Sequence, residues 1–127
     1  MDNGHDAFSI GGRIKSGTHA VEGILELLRS QYNAWVHAVA TISVITAATF
    51  FGVTVTEWCL LVLAITTVWV AEGVNTAFEF LCDVASPEFH PLVKKSKDVA
   101  AGAVLLCALG AATVGLIIFI PYAKGYL

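Results

Sequence analysis

Charge is scarce in this 127-residue sequence: Asp, Glu, Lys and Arg make up 13% of it, against 57% hydrophobic residues. That balance excludes an ordinary water-soluble domain of this length, and the mean hydropathy is +0.76. Cysteine is confined to Cys59, Cys82 and Cys107, each alone in an apolar segment with no CxxC spacing and no neighbouring histidine. Structural zinc and a redox pair are thereby set aside, and the three read as small packing residues. The start, "MDNGHDAFSI", lacks a basic stretch leading into an apolar core, so no cleaved signal peptide is expected. Internal repeats and low-complexity tracts are missing too, and no nucleic-acid partner is expected.

What the sequence does have is apolar length. A helix needs about 20 mostly apolar residues to cross a bilayer core. Three segments qualify: residues 34–55, 58–82 and 99–122. The fold class is therefore all-α, an integral membrane protein formed as a single unit over residues 1–127. Orientation follows from the basic residues. Arg13, Lys15 and Arg29 precede the first span, and Lys94, Lys95 and Lys97 lie in the stretch 84–98 between the second and third. The loop between the first two spans has none, so six of the seven basic residues share one side, expected to be the cytoplasm.

The remaining segments are shorter. Residues 1–12 are expected to fray. Over 13–31, Ile14, Val21, Ile24, Leu25 and Leu28 recur at helical spacing, with Lys15, Glu22, Glu26 and Arg29 opposite them. This predicts an amphipathic helix lying at the membrane surface or packed on a protein partner. Pro87 and Pro91 interrupt the chain within 84–98, which predicts a loop in water. In the third span Ala103, Cys107, Ala111 and Gly115 recur every fourth residue, a spacing that predicts close helix packing in lipid.

One stretch breaks the apolar pattern. "WVAEGVNTAFEFLCD", residues 69–83, carries Glu72, Asn75, Thr76, Glu79 and Asp83 inside the second span. At about 100° per residue these five fall within a sector of about 100°, so one helix face is polar over three turns. Glu79 and Asp83 lie near the end of the span and can emerge at the interface. Glu72 sits more than two turns deeper than Asp83, about 15 Å along the helix, where an ionisable group marks function. Two chemistries fit: carboxylates relaying protons or ions, or catalysis on a substrate that lives in the membrane. The cluster Glu88, His90, Lys94, Lys95, Lys97 and Asp98 just beyond favours the second. Phosphoryl transfer needs cations on phosphates, carboxylate-held metal and a base for the attacking hydroxyl. No G-x-x-x-x-G-K-[ST] or soluble-kinase signature occurs, so a nucleotide site here is built differently.

At these residues the sequence resembles the prokaryotic diacylglycerol kinase family, small membrane lipid kinases that include the undecaprenol kinases. "EGVNTAFEFLCD" is similar to that family's E-x-x-N-[ST]-A-[IF]-E-x-x-x-D, and "SPEFHPLVKKSKDVAAGAVLL" to its S-P-E-[YF]-H-x-x-x-x-x-x-K-D-x-[AG]-[AS]-[AG]-A-V. The resemblance implies a homotrimer in the bacterial inner membrane, each subunit with three membrane helices and a surface helix, and with active sites shared between neighbours. It implies ATP, Mg²⁺ and a lipid alcohol, either diacylglycerol or undecaprenol, with "SPEFHPL" and "DVAAGAVLL" nearer to the undecaprenol branch. It gives Glu72 the general-base place, beside the lipid hydroxyl, with Asn75 in the catalytic turn. Glu79 takes a metal-ligand place, and Glu79, Asp83, Glu88, Phe89, His90, Lys97 and Asp98 take nucleotide-contacting places.

Three positions depart from the family's pattern. The second metal-binding Glu, eight residues after a Gly, is here Gln31, eight residues after Gly23. An amide brings no negative charge, so weaker metal binding is implied. His19 stands where a nucleotide-contacting Tyr is usual, near Arg13, and Trp35 stands where some members carry Arg beside the lipid. Besides an ATP- and Mg²⁺-dependent lipid kinase, two other readings stay open on the sequence. One is an ion-conducting subunit using the 72–83 stripe. The other is a degenerate kinase kept as a lipid-binding trimer.

Overall fold

In the computed structural model, which describes residues 9–126, the chain forms four helices and, among the described residues, no strand. They are α1 (Ile10–Ser30), α2 (Tyr32–Phe51), α3 (Val55–Ala85) and α4 (Pro91–Gly125). α2, α3 and α4 are each long and apolar enough to cross a membrane. At ~1.5 Å per residue, α3 and α4 exceed the ~30 Å of a hydrocarbon core by a wide margin. Their polar ends therefore project beyond it.

Local chemistry fixes the ends, and several boundaries differ from those expected. α1 starts at Ile10, inside the stretch expected to fray, because Ser9 accepts a bond from Gly12 N and caps it. The signal-peptide reading of the first residues falls mostly outside the described ones. α1 and α2 are separated only by Gln31, in extended conformation at φ −119°, ψ 122°. α2 ends at Phe51 instead of residue 55 because Gly52 adopts the left-handed conformation (φ 63°). Its N–H is thereby turned back to the last carbonyls. Thr54 and Glu57 then form a capping box, which starts α3 at Val55 instead of residue 58.

The link expected over 84–98 shrinks to residues 86–90. Pro91 occupies the first turn of α4, where its missing N–H costs nothing, and His90 Nδ1 accepts from Leu92 N at 3.2 Å. The lysines expected in a loop therefore line the first turns of a helix.

α3 and α4 run antiparallel and are pinned at both ends. Lys97 Nζ lies 2.9 Å from Asp83 Oδ1 at the link end, and Tyr122 Oη donates to Glu57 Oε2 at 2.7 Å at the far end. The apolar core sits at the Glu57 end, where Ala48, Val53, Leu61 and Ile118 are buried against Phe51, Trp58 and Phe119. α1 docks through Leu27, whose Cδ2 would lie 3.8 Å from a Cβ on Gly73. Most other large apolar side chains, among them Ile42, Leu63, Leu106 and Ile117, face outward, as they do where lipid is the solvent.

Within this chain the small-residue stripe on α4 is partly covered, with Ala111 and Gly115 half-buried. Ala103 is exposed, and a Cβ added to Gly115 would meet nothing within 4 Å. Among the cysteines, all free, Cys82 is buried, Cys107 is partly so and Cys59 is exposed.

Candidate active site

The Glu72–Thr76 part of the polar face of α3 is buried, whereas Glu79 is half-buried and Asp83 exposed. Glu72 is 1% exposed, Thr76 3% and Asn75 6%. Glu72 and Asn75 line a half-open cavity of about 210 Å³ together with Val36 and His37 of α2 and Val104 and Ala108 of α4. Burying a polar atom without a partner is costly, and native proteins avoid it except at functional positions. Here both carboxylate oxygens of Glu72 and Oδ1 of Asn75 have no hydrogen-bond partner among the described residues. His37 Nε2 approaches Glu72 Oε2 to 3.3 Å. The approach is off the line that a hydrogen bond needs, so the pair is close without being bonded.

His37 is the site residue that the sequence reading missed. Its ring stands edge-on to Trp69, with centroids 6.3 Å apart, and Trp69 Nε1 donates to Thr41 Oγ1 at 3.0 Å. This sets α2 against α3 beside Glu72. A histidine inside an otherwise apolar span is the signal that could have found it.

Two helical turns toward the link, about 10 Å along α3, the environment changes. Gln31 Nε2 donates to Glu79 Oε2 at 3.3 Å. The one-residue joint between α1 and α2 thus presents its side chain to the acidic face of α3. Asp83 and Lys97 are paired beyond it, and Lys94 Nζ lies 2.6 Å from Asp98 Oδ2. Glu88, Phe89 and His90 lie exposed in the link, where Glu88 O accepts from Ser86 Oγ at 3.1 Å. Among the described residues no group of three His, Cys, Asp or Glu side chains converges as a metal cage.

Other expected positions are not drawn in. Trp35 is 60% exposed and does not line the cavity beside Glu72. His19 pairs with Glu22 at 3.2 Å on the open side of α1, and Arg13 is exposed one helical stretch earlier. The geometry thus groups Glu72, Asn75 and His37 at a deep position, and Gln31, Glu79, Asp83 and Lys97 at a shallow one.

The chain matches the family model described as prokaryotic diacylglycerol kinase over residues 18–119. It is 37% identical over 107 residues to the undecaprenol kinase of Bacillus subtilis (strain 168), covering 84% of this chain and 87% of that protein. It is 35% identical over 104 residues to the diacylglycerol kinase of Synechocystis sp. (strain ATCC 27184 / PCC 6803 / Kazusa), covering 81% of this chain and 59% of that one. A diacylglycerol kinase of Helicobacter pylori (strain ATCC 700392 / 26695) is 44% identical over 50 residues, 39% of either chain. No solved structure matches.

Proposed function

We propose that this chain, which belongs to the prokaryotic diacylglycerol kinase family and is a lipid kinase, transfers the γ-phosphoryl group of ATP to the hydroxyl of a membrane lipid alcohol. The observation that carries the reading is Glu72. It is a carboxylate 1% exposed, at membrane depth, with neither oxygen hydrogen-bonded and a cavity beside it. Such a group is expensive unless a substrate proton is what it waits for.

In the proposed reaction Glu72 accepts the hydroxyl proton as the lipid oxygen attacks the γ-phosphorus. The new O–P bond forms while the bond to the departing ADP oxygen breaks. Asn75, whose Oδ1 is also unpartnered, orients the hydroxyl against the carboxylate. His37, 3.3 Å from Glu72, is near enough to take the proton onward. Glu79, Asp83, Lys97 and Asp98, with Glu88, Phe89 and His90 of the link, hold the nucleotide. Arg13 and His19 extend that surface, and Trp35 borders the lipid.

The shallow donors fit a divalent cation of the Mg²⁺ kind. Such an ion is usually held by one or two carboxylates together with substrate phosphates, and Glu79 supplies one. Gln31 offers its amide oxygen once the side chain turns by half a rotation. When bound, the ion neutralises charge on the phosphates. The deep carboxylate then serves the lipid and the shallow one the water-soluble nucleotide.

The same reading takes residues 1–127 as one kinase unit, a homotrimer with shared sites in the bacterial inner membrane. α1 lies at the cytoplasmic surface, with the N-terminus and the 86–90 link on that side. The basic residues there and the broad exposed apolar surface support it. The product is a phosphatidic acid or an undecaprenyl phosphate.

The test is phosphate transfer by the purified full-length protein in mixed micelles. Labelled ATP with Mg²⁺ is supplied with diacylglycerol, with undecaprenol, or with neither. Label is expected in the lipid fraction in at least one lipid arm. Label in neither, from a folded membrane-extracted protein, overturns the reading.

A further inference from the structure

In the proposed cycle Glu72 takes a proton and must then lose it, yet its side chain is only 1% exposed. Asn75 beside it is an amide and takes no proton. His37 is placed differently. Its side chain is 16% exposed and its Nε2 stands 3.3 Å from Glu72 Oε2. It lines both the half-open space beside Glu72 and a larger one between α2, α3 and α4. Among the residues lining these two spaces, Glu72 and His37 are the only ones that titrate. α4 faces them with Ala101, Val104 and Ala108, and no residue of α1 lines either space.

Thr41 fixes the backbone under the ring. Its Oγ1 donates to the carbonyl of His37 at 2.7 Å and accepts from Trp69 Nε1 at 3.0 Å, which ties α3 to that turn of α2. The ring is left free to turn. Among the described residues neither of its nitrogens is hydrogen-bonded, and Nε2 lies off the line that a bond to Glu72 needs. A small rotation makes or breaks that bond.

We infer that the charge of His37 decides whether Glu72 is free to act, which makes His37 both the proton exit of the site and its shut-off in acid. The inference rests on the kinase reading above and adds how the base is reset. Neutral His37 leaves the carboxylate unpaired, so Glu72 accepts the hydroxyl proton while the new O–P bond forms. The proton then moves from the Glu72 carboxyl to an imidazole nitrogen, and from the imidazolium to a water or buffer base in the half-open space. Glu72 is thereby ionised again and His37 neutral. An imidazolium that keeps its proton turns onto the carboxylate instead. Opposite charges that close attract strongly where water is excluded, and a carboxylate so paired is a poorer proton acceptor. Histidine ordinarily changes charge between about pH 5 and 8, so transfer is shut off as the medium acidifies.

The test compares kcat of the parent and of His37→Gln across about pH 5–8, at saturating alcohol, ATP and Mg²⁺. Titration of ATP is common to both and cancels in the ratio. At the alkaline end the parent is expected to be roughly tenfold faster, because the variant has lost its proton relay. Toward acid the parent loses rate as His37 charges and the variant does not, so the ratio is expected to fall to about twofold or less. A ratio constant across the range shows a merely structural role and overturns the inference.

A second measurement needs no turnover. The ring nitrogen signals of His37 in NMR, identified by their absence in His37→Gln, are followed against pH in the parent and in Glu72→Gln. Their titration is expected to differ in the variant, because the charge that holds the imidazolium is gone. The same titration in both overturns the inference. If the parent transfers phosphate to no alcohol, the kinase reading fails by itself, and the ring titration alone then decides whether Glu72 and His37 act as a pair.

Discussion

Replacing Glu72 by Gln keeps the size and shape of the side chain and removes the charge and the ability to take a proton. Two consequences follow, of opposite kinds. General-base assistance is typically worth 10²–10⁴-fold, so kcat is expected to fall by about that factor, equivalent to about 3–5 kcal/mol of barrier. KM for ATP is expected to stay within threefold, because Glu72 lies about 10 Å along α3 from Glu79. Stability moves the other way. The parent buries a carboxylate at 1% exposure with neither oxygen hydrogen-bonded. A carboxylate buried without a hydrogen bond, with only His37 Nε2 at 3.3 Å beside it, costs several kcal/mol, and a neutral amide in the same place costs about 1–3 kcal/mol. The variant is therefore expected to be more stable by about 1–3 kcal/mol. The assays are labelled-phosphate transfer under ATP saturation, and denaturant or thermal unfolding of the same preparation in micelles. Turnover within tenfold of the parent removes Glu72 from the base role. A variant that is both inactive and less stable shows instead that Glu72 is structural.

Three further perturbations bear on the site and its frame. Gln31→Glu sets a second carboxylate against Glu79, now 3.3 Å from the amide nitrogen. Divalent-cation affinity, read from Mn²⁺ binding in the presence of a non-hydrolysable nucleotide, is expected to rise about tenfold or more, while the cation-free protein loses stability from the paired like charges; unchanged affinity rejects a metal place for this position. His37→Gln keeps polarity but cannot relay a proton, so kcat is expected to drop about tenfold with KM for ATP unchanged, and a matching rise in KM would reassign His37 to nucleotide binding. Tyr122→Phe removes the 2.7 Å bond to Glu57 that pins α4 to the start of α3. Its expected effect is a lower thermal midpoint with unchanged kinetics, and a kinetic loss at full stability would contradict the purely structural role.

The three spans and the acidic face were legible in the residues because both are periodic, and periodicity survives without any knowledge of neighbours. Single-residue punctuation was harder to read. The left-handed Gly52 and the Thr54–Glu57 capping box lie among apolar residues, so a hydropathy profile runs straight over them and misplaces both boundaries. By sequence Pro91 looks like a breaker, but at the first turn it starts a helix. His37 stands out in the sequence as a histidine within an apolar span, but its place in the site does not. It is one polar residue in α2 and enters the site only because α2 crosses α3 at Glu72, a fact of tertiary structure.

The two ends of the bundle are built on different principles, and that contrast bears on how an unpartnered acid can persist. At the Glu57 end the buried core is apolar, and aromatic rings close over it, with Phe51 stacked on Tyr122 at 5.7 Å and tilted on Phe119 at 6.0 Å. The capping box and the Tyr122–Glu57 bond add directional constraints at the same place. Open space borders both regions, a groove of about 530 Å³ beside Leu61 and Phe119 and one of about 210 Å³ beside Glu72, but at Glu72 the lining is polar and α2 is tied to α3 only by the Trp69–Thr41 bond with His37 beside it. Stability gathered at one end offsets the cost of buried polar atoms at the other, because within a single cooperative unit only the sum matters. A site held rigid at its base and left loosely filled at its reacting end can admit an alcohol and a phosphate without first breaking native contacts. If Glu72 is the base proposed above, filling those cavities with apolar side chains is expected to raise stability while lowering transfer, the usual opposition between a tightly packed site and an active one.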